Sequence, residues 1–169
     1  MIQKESDMCL ICDRIEMIKN GTNPWFVREL ETGYVVIGDK QYFRGYCLFL
    51  CKWHETELFS LDEEKRVKFL LEMSAVAEAV KLAFGAEKMN YELLGNGDSH
   101  LHWHLFPRRK GDLENDGIDY GKNGSGPVWW IPWNMMNHEK YKVGGDELEK
   151  MKSDLCTALD EVQRRHGKE

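Results

Sequence analysis

The sequence predicts a single domain that combines a β-sheet with helices, and three observations carry that expectation. The stretch Ser99–Arg109 (SHLHWHLFPRR) alternates His100, His102 and His104 with Leu101, Trp103 and Leu105, the two-residue period of a strand with one apolar and one polar face. Runs rich in aromatic and β-branched residues fill much of the chain before it. Two further segments carry apolar residues at helical spacing. A chain of 169 residues can bury a core without disulfide staples.

Taken in order, PWFVREL (24–30) and GYVVIGD (33–39) read as a hairpin turning at Glu31, Thr32 and Gly33. YCLFLCKWH (46–54) is largely apolar and suits a strand near the middle of a sheet. Ser60, with Glu63 three residues on, predicts a capping box. The helix behind it carries Val67, Leu70, Leu71, Ser74, Ala77, Val80 and Phe84 at helical spacing, most of them toward the core, and stops at Gly85. KMNYELLGN (88–96) reads as a strand entering a turn at Gly95–Ser99, and the histidine strand follows until Pro107, which has no N–H, ends its ladder. The segment 110–145 is irregular, with a length that points to function or partial disorder. Asp146 and Glu149 cap a last helix (146–166) with Leu148, Met151, Leu155, Leu159 and Val162 on its apolar stripe.

The formal charge of −6 argues against a protein that coats nucleic acid, which needs a basic surface. Arg108, Arg109 and Lys110 read as a solvated strand end. No run approaches the roughly 20 apolar residues that span a bilayer, and the first residues lack a signal-peptide core, so a soluble cytoplasmic protein with no membrane partner is expected. Five cysteines in such a chain fit a reducing compartment.

Cys9 and Cys12 form C-x-x-C, a tight thiolate pair that holds half of a tetrahedral zinc site. No histidine pair follows at zinc-finger spacing, so further ligands must be assembled by the fold, with His54 and His100 as candidates. The other reading is a reduced, metal-free pair. Cys47, Cys51 and Cys156 read as ordinary buried thiols.

The histidine row admits three readings. A purely structural strand would avoid stacking imidazoles that repel when protonated and need partners when neutral. A tris-imidazole zinc centre could activate water, leaving Cys9 and Cys12 idle. Alternatively a central imidazole attacks phosphorus while a flanking one handles charge and protons. The glycine-containing turn LGNGDS would then supply backbone N–H donors.

HLHWHLFPR resembles the signature of the histidine triad (HIT) family of nucleotide hydrolases and transferases, His-x-His-x-His followed by two apolar residues. CLIC resembles the zinc-binding subset of that family, RGYCLFLCKWH its strand ending in a basic residue and histidine, and NYELLGNGDS the strand and turn before the triad. The matching segments run from Cys9 to Arg109. The resemblance, which extends to diadenosine polyphosphate hydrolase-like members, implies an α+β HIT-like fold, a five-stranded antiparallel sheet with two main helices, paired as a homodimer. It implies that His102 attacks the α-phosphorus of a nucleotide to give a nucleotidyl-histidine, and that His104 hydrogen-bonds the phosphate and assists the leaving group. It further implies Cys9, Cys12, His54 and His100 as ligands of a structural zinc, with Asn96 and Ser99 at the phosphate and Asp39 near the ribose. The implied reaction is hydrolysis of a phosphoanhydride or phosphoramidate. Alternatives are transfer to an acceptor such as a sugar phosphate, or nucleotide binding without turnover. Where some relatives carry a histidine after the glycine matching Gly45, this chain has Tyr46, and its loop before His100 is shorter. The tryptophans of GPVWWIPW (126–133) suit either an aromatic surface for a base or dimer partner, or internal packing.

Overall fold

The computed structural model describes residues 9–113 and 126–167. Strands β1 (Phe26–Glu29), β2 (Gly33–Ile37), β3 (Cys47–Cys51), β4 (Lys88–Glu92) and β5 (His102–Arg108) form one antiparallel sheet in the order β1-β2-β3-β5-β4. The apolar third run is thus the central strand, as its composition predicts. The β1–β2 hairpin closes where Leu30 N–H donates to the Gly33 carbonyl. Helices α2 (Glu63–Phe84) and α4 (Gly145–His166) pack together on one face of the sheet. There Leu101, Leu105, Phe49, Cys47 and Cys51 are buried, so the apolar side of the histidine strand is the core side. Cys47 and Cys51 are wholly buried thiols, as expected.

Several boundaries differ from the sequence reading. The cap of α2 is Asp62, whose carboxylate accepts from Lys65 N–H, while Ser60 closes a 3-10 turn at Leu58–Ser60. Asp62, Glu63 and Glu64 gather negative charge at the helix N-terminus, where the backbone dipole favours it. The buried side of α2 is Phe69, Val76, Ala77, Ala79 and Val80, and Val67 and Leu71, expected inside, are 50% and 63% exposed. In α4 the stripe is buried as expected, but Gly144 stands at the N-cap, and Asp146 and Glu149 lie within the helix.

A further helix, α1 (Leu10–Lys19), lies on the opposite face of the sheet. Its Ile11, Ile15 and Ile18 pack on Tyr34, Val36 and Leu50. Cys9 caps it, the sulfur accepting from Cys12 N–H at 3.3 Å. The described part of 110–145 is a set of short turns, among them the one-turn helix α3 (Trp133–Met136). Val128, Ile131 and Leu113 fold under it against Phe43 and Phe106. Among the described residues no helix is long and apolar enough to cross a membrane.

Candidate active site and metal centre

The strand register builds the site. Leu48 and Leu50 of β3 stand opposite His104 and His102, and both leucines pack toward α1. The face that presents the imidazoles therefore also carries α1, away from the core of α2 and α4. His100 lies just before β5 and is buried.

A chain of hydrogen bonds fixes the protons. His102 Nδ1 lies 2.6 Å from the His100 carbonyl oxygen, which can only accept, so Nδ1 carries the hydrogen. The Nε2 of neutral His102 is then a lone pair, 2.9 Å from His104 Nε2, which must donate to it. His104 Nδ1 is left as an acceptor, 2.6 Å from the Tyr46 hydroxyl. Burial, together with the neighbouring His102, lowers the His104 pKa from 6.5 to about 4, so His104 is neutral at physiological pH. Burial raises the Tyr46 pKa, which keeps that phenol protonated as a donor.

Beside the relay, one ligand atom from each of Cys9, Cys12, His54 and His100 lies within 4.8 Å of the other three. His100 Nε2 donates to the Cys51 carbonyl at 2.8 Å, and its Nδ1 lone pair faces Cys9 Sγ at 3.6 Å and Cys12 Sγ at 3.4 Å. His54 Nδ1 lies 3.2 Å from Cys12 Sγ. Two sulfurs and two imidazole nitrogens at these separations match the edges of a tetrahedron with metal bonds of about 2.0–2.3 Å. The Cys12 thiol is pushed up to about 11 by burial and by Cys9 beside it, a cost that a divalent cation between the thiols would offset. Backbone bonds from Leu101 N–H to the Glu55 carbonyl and from Cys51 N–H to the Leu101 carbonyl hold the His54 loop against His100.

The remaining expected residues are placed less directly. Asn96 and Ser99 are exposed in the turn before His100. Asp98 between them is a residue the sequence reading missed: its carboxylate accepts from Ile11 N–H and His100 N–H, docking the turn on the start of α1. Both oxygens of Asp39 accept from Arg14, at 2.7 and 2.6 Å, so any ribose contact shares that carboxylate with a guanidinium. Glu92 stands opposite His104 in the β4–β5 register, and burial raises its pKa. Trp129 and Trp133 are 74% and 69% exposed, which excludes internal packing for these two.

A HIT domain model matches residues 26–111, just over half of the chain. This chain belongs to the HIT domain family. The match includes His54 and the whole triad but begins after Cys9 and Cys12. Among solved structures, this HIT domain resembles a hypothetical histidine triad nucleotide-binding protein from Sulfolobus tokodaii at 19% identity, covering 91% of this chain and 95% of that one, with a TM-score of 0.64. A Zn-bound histidine triad family protein from Mycobacterium smegmatis is 18% identical, with 95% and 99% covered and a TM-score of 0.60. A histidine triad protein from Bradyrhizobium japonicum is 22% identical, with 79% and 89% covered and a TM-score of 0.60. At these identities the likeness establishes the shared fold. No curated protein matches the sequence.

Proposed function

We propose that this HIT domain is a hydrolase that cleaves nucleotides at the α-phosphorus through a nucleotidyl-histidine on His102. The observation that carries the reading is the tautomer of His102. The carbonyl of His100 holds its proton on Nδ1 and leaves the Nε2 lone pair free of backbone partners, facing His104. In the first step Nε2 forms a bond to phosphorus while the bond to the leaving group breaks, and the leaving group takes up a proton. His104 Nε2–H, released from His102 as that lone pair is spent, donates to a phosphoryl or leaving-group oxygen. Water then attacks the same phosphorus, the P–N bond breaks, Nε2 of His102 recovers its lone pair, and His104 Nε2 takes back a proton from the attacking water. Phosphoanhydrides such as dinucleoside polyphosphates and phosphoramidates such as adenylated amines both fit this chemistry, with Asn96, Ser99 and Asp39 as substrate contacts.

Cys9, Cys12, His54 and His100 are assigned to zinc. The donor set and its spacing fit that ion. When bound, the metal would cross-link the start of α1 to the loops flanking β3 and β5, because four protein ligands leave no position for water. A cytoplasmic homodimer is the proposed state.

The test is incubation with a nucleotide panel and mass spectrometry of the protein. A nucleotidyl adduct on His102 that turns over in water supports hydrolysis. An adduct discharged only by an added acceptor makes the protein a transferase, and saturable binding without any adduct makes it a binding module.

A further inference from the structure

Tyr46 occupies the position where the chain departs from the histidine of some relatives, and the fold around it is built to place its ring. Its backbone is held at both ends, with Tyr46 N–H donating to the Phe43 carbonyl and the Tyr46 carbonyl accepting from Gly38 N–H and Gln41 Nε2. Gly38 leaves the space the ring fills, since a Cβ there would lie 2.2 Å from Tyr46 Cδ1. Gly45 has φ +96 and sits against the Phe84 ring, so a side chain there is excluded both by conformation and by space. The Tyr46 ring stacks on Phe106 with 4.4 Å between centroids and lies parallel to His104 at 6.0 Å.

We propose that Tyr46 is a positioning residue of the reaction: its hydroxyl holds the His104 proton on Nε2, where it faces the nucleophile and the reacting phosphoryl group. The assignment rests on the hydrolase reading of this site. Without the hydroxyl, His104 Nδ1 has no donor among the described residues, and only the facing His102 lone pair then favours hydrogen on Nε2. In the wrong tautomer, two lone pairs would face each other between His104 and His102. The hydroxyl also polarises the ring, so that Nε2–H donates more strongly than in an isolated imidazole. In this role Tyr46 orients His104 and transfers no proton itself.

Tyr46→Phe removes the hydroxyl and keeps the ring. With imidazole-labelled protein, ¹⁵N NMR of wild type should show His104 as one tautomer with hydrogen on Nε2, and Tyr46→Phe should show a mixture of both. Turnover on a substrate from the panel should fall with kcat reduced about tenfold and KM within about twofold, a smaller loss than that of a donor bonded directly to a developing charge. Gly38→Ala, which displaces the ring without touching the hydroxyl, should give the same tautomer mixture. An unchanged tautomer in Tyr46→Phe overturns the proposal, as does a change in KM alone or an unchanged kcat. Absence of a His102 adduct in wild type is a separate result that overturns the hydrolase reading itself.

Discussion

At the scale of single residues, the site depends on which nitrogen of each imidazole holds a hydrogen, and groups at the two ends of the relay decide it. The His100 carbonyl sets His102, while His102 and the Tyr46 hydroxyl together set His104. His102→Ala should lower turnover by at least about 10³-fold, as removal of a nucleophile does elsewhere, while metal content by elemental analysis stays at the wild-type level. Zinc loss in that variant would instead identify His102 as a ligand. His104 also makes a pH prediction. Its folded pKa of about 4 lies below the ordinary 6.5, so between those values the unfolded chain binds a proton that the native state refuses. Stability is therefore complete above about pH 6.5 and declines as pH falls toward 4. In urea unfolding, His104→Gln should show a smaller loss of midpoint between pH 7 and 5 than wild type. Equal losses would show that the burial of His104 has no part in the acid sensitivity.

At the scale of elements, the strands were legible and the helix ends were less so. Alternation in 99–109 gave the faces of β5 correctly, because a period of two leaves no choice of side once one face is apolar. The same logic failed on α2, where Val67 and Leu71 suit a stripe as well as Phe69 and Val76 do, and only contact with the sheet decides between them. Helix α1 escaped notice although Ile11, Ile15 and Ile18 carry its period, because the segment is short and the C-x-x-C within it drew a metal reading instead. Its capping sulfur is also a candidate ligand, so the helix and the candidate metal site begin at one atom. Cys9→Ala or Cys12→Ala should release zinc and lower Tm by about 4–8 °C, the shift that about 2 kcal/mol produces in a domain of this size. Retention of zinc with an unchanged Tm would remove the four-ligand assignment.

At the scale of the whole molecule, the parts of the site readable as patterns were those whose members are neighbours in sequence, while His54 and His100 could be joined to the cysteines only as candidates and by resemblance. The triad and the C-x-x-C are local patterns. Tyr46 reaches His104 only because β3 pairs with β5, and Asp98 reaches Ile11 only because the turn docks on α1. Neither contact has a periodicity to announce it. Sheet order also explains how one sheet carries two kinds of work, with α2 and α4 covering its core face and α1 sharing the other face with the imidazoles. His100 joins them most directly. Its ring nitrogen faces the cysteine cluster and its carbonyl fixes the proposed nucleophile, so anchorage and tautomer control travel through one residue. Loosening the anchorage should consequently appear as a smaller fraction of molecules competent to react, with nucleotide affinity retained. Active-site titration of Cys12→Ala, set beside its equilibrium binding curve, reads that fraction directly.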